Sequence, residues 1–198
     1  MSSPATNLPR RPSPNVQSSP LVTAIWWLMA LWCVGFAAVN IVLESTDYLA
    51  ESEYADYASA FTVMNWLVVG LKLLGAAVAL LSVTKRPPFL PPRLLGVLVW
   101  GVFATLAVYV LGSMAQALGM LVGLRGSASQ IDLAGVAYLI FFLTAATGWG
   151  VLAVSYSARH ALGWETAVLG VLGAPIVLGL VLVAMPILLA ALGLMPAS

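Results

Sequence analysis

Lys72 is the residue from which chemistry could start. It stands about eleven residues from either end of FTVMNWLVVGLKLLGAAVALLSV, Phe61 to Val83, a run that carries no other charge. A charge at the bilayer midplane costs ~2.5 to 3.5 kcal/mol on insertion scales, so it normally faces protein or water and can bind an anion or relay a proton. Asn65, Val68, Lys72, Gly75 and Ala79 share its helix face. Cys33, Ala37, Asn40 and Glu44 form a matching stripe on the preceding apolar run. Helical side chains lean toward their own N-terminus, so on two antiparallel helices Lys72 and the Asn40 and Glu44 pair lean toward each other. Glu44 starts about 16 Å from the level of Lys72 by helical rise, which makes Asn40 the better direct partner. Thr105, Tyr109, Gly112 and Gln116 share one face of a third run, and Thr144, Gly148, Val151 and Ser155 one face of a fourth. The candidate intramembrane polar cluster is therefore Lys72, Asn40, Glu44, Asn65, Thr105, Tyr109, Gln116 and Thr144. The competing reading is ordinary membrane glue, with hydroxyls bonded to their own helices and amides joining neighbours.

Other chemistry is poorly provided for. Gly148 to Ala153 matches a dinucleotide pattern in letters, but it lies inside an apolar span with no preceding strand. The chain contains no P-loop, no GxSxG elbow and no HExxH, and its single His and single Cys cannot supply three or four metal ligands. No catalytic residue, metal or cofactor is expected, and the balance leans away from an enzyme. His160 follows Arg159 at a helix C-terminus, where a cation complements the dipole. The stretch from Glu44 to Tyr57 holds five of the chain's seven acidic residues. It has no Gly for the sharp turn of a calcium loop, so Asp47, Glu51, Glu53 and Asp56 are expected to attract cations only diffusely.

The elements that must position these residues follow from composition. Of 198 residues, 62% are apolar and 8% charged, with mean hydropathy +1.02. A soluble domain carries roughly a quarter charged residues, so a freely soluble fold is excluded, and Cys33 has no disulfide partner. A net charge of +1 provides no field to gather nucleic acid. About 20 apolar residues cross a hydrocarbon core of ~30 Å, which predicts helices over about 21–43, 58–83, 94–121, 131–156 and 167–192. The expected fold is an all-α, integral-membrane bundle of five transmembrane helices, forming one domain over 21–198. Arg10, Arg11, Lys85, Arg86, Arg93 and Arg159 fall on one side and only Arg125 on the other, which places the N-terminus in the cytoplasm and the C-terminus outside. The expected location is a bacterial inner membrane, from the Ala, Leu, Val and Gly bias and only two Lys.

Residues 1–20, with five Pro and five Ser, are expected to be a disordered cytoplasmic tail rather than a cleaved leader. Arg10 and Arg11 are followed by Pro-Ser-Pro, which does not fit a twin-arginine signal. KRPPFLPPR, Lys85 to Arg93, reads as a stiff extended strap. The third run, Leu94 to Leu124, would be ~46 Å long as a helix, so it is expected to tilt, bend near Gly112 or leave the membrane around Gly119. Pro175 and Pro186 permit kinks in the fifth helix, and Gly170, Gly173 and Gly179 permit close packing.

Leu71-Lys72, Leu90-Pro91-Pro92-Arg93, Trp100 and the segment from Tyr109 to Gln116 together resemble a family of small bacterial multi-pass membrane proteins classed as a domain of unknown function. The likeness spans about Val68 to Ala117 and implies a multi-pass helical fold; that family looks four-helical, so the fifth helix and the long tail depart from it. It implies no activity. Two functions are expected to compete: a non-enzymatic packing or accessory component that joins a membrane-protein partner or a second copy, and a small transporter or ion-conducting protein that uses Lys72. Convergence of Asn40, Lys72 and Gln116 on one polar route favours transport. Their dispersal to separate interfaces favours packing.

Overall fold

Caps and turn residues, more than apolar periodicity, decide where each helix begins and ends. The computed structural model describes residues 19–46, 58–83, 90–124 and 126–191. The tail over 1–18, the acidic residues Asp47, Glu51, Glu53 and Asp56, and Lys85 and Arg86 of the strap lie outside the described residues.

Helix α1, Pro20–Ser45, starts one residue before its expected position because Ser19 accepts a hydrogen bond from the Val22 N–H at 3.3 Å and Pro20 supplies a first turn that needs no donor. Helix α2 covers Ala58–Val83. Helix α3, Pro92–Leu121, begins two residues early, with Pro92 at its first position. It runs unbroken through Gly112 and Gly119, so no break in the helix forms at either glycine. Gly123 stops it by adopting φ +75°, while Leu124 N–H reaches Gly119 O at 2.9 Å and Gly123 N–H reaches Met120 O at 3.3 Å, the paired bonds of a Schellman turn.

After one 3-10 turn at Ala128–Gln130, helix α4 spans Leu133–Arg159. Its start falls two residues later than the apolar pattern implies, because Asp132 Oδ1 accepts from Gly135 N–H at 2.7 Å and so fixes the cap. It also runs three residues longer, to a second Schellman turn in which Leu162 N–H reaches Ser157 O at 3.0 Å. Here Ala161, not Gly, holds the left-handed position at φ 48°. Helix α5, Trp164–Ala191, then starts three residues early with Glu165 in its first turn, where a carboxylate suits the dipole.

Each of the five helices is long and apolar enough to cross a membrane. Helices α1 and α2 pair, α4 packs on α1, α3 packs on α4, and α3 meets α2 lightly. Helix α5 lies outside this group of four and packs chiefly on α3. The shared core contains Trp26, Met29, Cys33, Val99, Trp149 and Leu152.

Helices approach closely where glycine leaves room. A Cβ on Gly148 would sit 2.6 Å from Met29 Sδ, and one on Gly75 would sit 3.1 Å from Cys33 Sγ. The α3–α5 crossing is the tightest: a Cβ on Gly101 would meet Ala174 Cβ at 2.8 Å, and one on Gly170 would strike Trp100 Cβ and Val97 O. This is how small residues hold membrane helices together in the absence of a hydrophobic drive between apolar surfaces.

Candidate functional site

Helix α2 delivers Lys72 half-buried against α1 and α4. Its ammonium Nζ lies 4.0 Å from the ring centroid of Trp32, 4.6 Å from Phe36 and 5.2 Å from Phe142. All three distances fall inside the ~6 Å within which an aromatic quadrupole attracts a cation. Trp32 and Phe36 stand one helical turn apart on α1 and stack at 5.6 Å with an interplanar angle of 16°. Phe142 from α4 closes the cage edge-on, at 89° to Trp32 and 83° to Phe36. Phe141 and Tyr138 support it from α4, and Tyr109 of α3 packs on Phe142 at 4.5 Å.

Lys72 therefore faces α1, but its contacts there are the rings of Trp32 and Phe36 and not the amide of Asn40. Asn40 donates instead to Phe36 O within its own helix at 2.8 Å. Among the described residues Lys72 has no carboxylate within ion-pair distance. An ammonium surrounded by π faces is held electrostatically without a counter-ion, which offsets part of the insertion cost.

The other candidates separate into distinct places. Asn65 of α2 donates to Asn40 O at 2.9 Å and to Glu44 Oε2 at 3.1 Å, so Asn40, Glu44 and Asn65 form one α1–α2 clasp near the end of the pair. Thr105 returns its hydroxyl to Gly101 O at 3.0 Å and Thr144 to Ile140 O at 2.8 Å, each within its own helix. Tyr109 and Gln116 line a cleft of about 440 Å³ between α3 and α4, with Ser113, Gln130 and Tyr138. Tyr109 of the cleft and Lys72 of the cage each contact the Phe142 ring. Among the described residues no group of three or more His, Cys, Asp or Glu side chains could hold a metal ion.

Sequence reasoning that followed polar letters missed the cage. The signal was present as Trp32 and Phe36 four residues apart and as Tyr138 and Phe142 four residues apart, both one-face spacings on their helices. Compared with known protein families, characterised proteins and solved structures, the chain matches none of them.

Proposed function

We propose that the chain is a non-enzymatic packing or accessory component of a bacterial cytoplasmic membrane, with its N-terminus inside and its C-terminus outside. It would assemble with a membrane-protein partner or with a second copy. The observation that carries this reading is the dispersal of the polar groups: Asn40 joins the α1–α2 clasp, Lys72 sits in an aromatic cage, and Gln116 lines a separate cleft. A transport route would need these groups along one path. Helix α5 adds further support, since Gly173 and Gly179 have nothing within 4 Å of where a Cβ would stand, and Leu172, Ile176, Leu180 and Val183 are exposed.

The experiment is purification from mild detergent followed by mass spectrometry and sizing, alongside flux measurements in proteoliposomes. A stoichiometric partner or a defined oligomer, with no flux above empty vesicles, is the expected result. Anion or proton flux that Lys72→Met abolishes would replace this reading with the transport alternative. Orientation is checked separately: with Cys33 replaced by Ala, a thiol introduced at the exposed Ser129 should be labelled only from outside the cell.

A further inference from the structure

At the opposite end of the bundle from the Asn65 clasp, the last residue of α4 is an arginine with an unfilled donor. Arg159 Nε donates to Ser155 O at 3.3 Å, and its guanidinium carbon lies 4.8 Å from the Trp26 ring centroid and 5.7 Å from that of Tyr156. Its Nη2 is buried and has no acceptor. The Nε1 of Trp26, a residue only 1% exposed, is also buried without one. Two buried N–H donors without acceptors, one of them cationic, thus belong to side chains in contact where α1 meets α4.

No acid among the described residues answers them. Among the described residues the acidic group at this end is Glu165, which lies 3.8 Å from Arg93. Glu44 and Asp132 sit at the other end, in the clasp and in the α4 cap. An unfilled guanidinium N–H and an indole N–H on touching side chains suit the oxygens of a phosphate, and hydrogen bonds from a guanidinium to such an anion are the strong, charge-assisted kind.

Depth identifies the source of the phosphate. Helix α1 has 26 residues, so it measures ~39 Å at 1.5 Å per residue, against ~30 Å of hydrocarbon. Trp26, six residues or ~9 Å from its start, therefore has its backbone about one turn inside the hydrocarbon boundary, and its side chain leans back toward the helix N-terminus and so toward the level of the headgroups and glycerol. Trp32 and Trp149 also lack an acceptor, but both lie mid-span, beyond the reach of a headgroup. Basic sites between spanning helices are where anionic headgroups dock.

We infer that Arg159 and Trp26 form a binding site for the phosphate of an anionic phospholipid between α1 and α4. The site is independent of the packing role proposed above.

Native mass spectrometry of the full chain, released from micelles holding equimolar phosphatidylglycerol and phosphatidylcholine, tests it. The wild-type protein should retain one phosphatidylglycerol in preference to phosphatidylcholine. Arg159→Gln should reduce that preference by roughly tenfold, the scale of one hydrogen bond to a charged group. Trp26→Phe keeps an aromatic face beside the guanidinium but removes the N–H along with part of the ring system, and should reduce it several-fold. Arg93→Gln removes the same charge from the same end but leaves the site intact, and should behave as wild type. Equal losses in Arg93→Gln and Arg159→Gln would mean diffuse charge attraction and overturn the site. Unchanged retention in both Arg159→Gln and Trp26→Phe would overturn it too. Displacement of the lipid by millimolar inorganic phosphate would assign the donors to a soluble anion and refute the lipid assignment.

Discussion

Consider Trp32→Leu with Lys72 left in place. The change removes the nearest of three rings, the one 4.0 Å from the ammonium, and leaves Phe36 at 4.6 Å and Phe142 at 5.2 Å. A cation–π contact is worth ~0.5 to 1 kcal/mol when exposed and ~2 kcal/mol when desolvated. Lys72 is half-buried, so the Trp32 contact should contribute about 1 to 2 kcal/mol. The indole also packs on neighbours, and a single variant would mix the two losses. A double-mutant cycle with Lys72→Met separates them. Lys72→Met alone gives up three ring contacts, on the order of 3 kcal/mol together, but relieves an insertion cost of ~2.5 to 3.5 kcal/mol. It should therefore be close to neutral. Trp32→Leu should cost about 1 to 2 kcal/mol more in the wild-type background than in the Lys72→Met background, because only the former leaves a charge with a depleted cage. Reversible unfolding in mixed micelles, followed by circular dichroism on all four proteins, gives the coupling. A cycle that closes to within about 0.5 kcal/mol, the range of independent sites, would refute the cage as an energetic unit.

Three further outcomes are expected. Gly170→Ala should loosen α5 from α3 and cost about 1 to 3 kcal/mol of overpacking, while Gly173→Ala, with open space around it, should leave the melting temperature in detergent unchanged. Ala161→Gly should stabilise the α4–α5 turn by roughly 1 kcal/mol, because a non-glycine residue there holds φ 48°; thermal unfolding reads the sign. Asn65→Leu removes both bonds of the α1–α2 clasp and should cost about 0.6 to 1.7 kcal/mol, the span measured for interhelical bonds in membranes, in the same unfolding assay.

The five helices were legible because apolar runs of that length have few other outcomes. Their ends were less so. Helix α4 starts at Leu133 because of the Asp132 cap and ends at Arg159 through a left-handed Ala161, and neither is an apolar-pattern signal. Lys72 was legible as a residue that faces protein, since a lone charge in Phe61 to Val83 stands out. Its partners were not, because polar spacing points only to polar neighbours, whereas a cation in an apolar medium is also held by ring faces. Thr105 and Thr144 behave as isolated hydroxyls that bond back one turn, a choice that face-sharing patterns cannot reveal. The α3–α5 crossing was half legible: Gly170 announced a close approach, but its partner Gly101 depends on where α5 docks.

The lateral order of the helices also constrains the order in which they can be made. A ribosome delivers α1 and α2 first, and these two already have each other as a main contact. Helix α3 arrives next, yet it meets α2 only lightly, and its principal neighbours, α4 and α5, are not yet synthesised. It must wait in lipid. Helix α3 carries no charge after Arg93, which is what a helix needs if it is to rest in the bilayer without protein contacts. Helix α4 then does two jobs on arrival, because it packs on α3 and brings Phe142 against Lys72 of the first pair. Until that moment the ammonium can have only the two rings of α1 around it. The charge at the middle of α2 is thus one point at which the early and late halves of the chain meet, completed by the fourth helix to emerge.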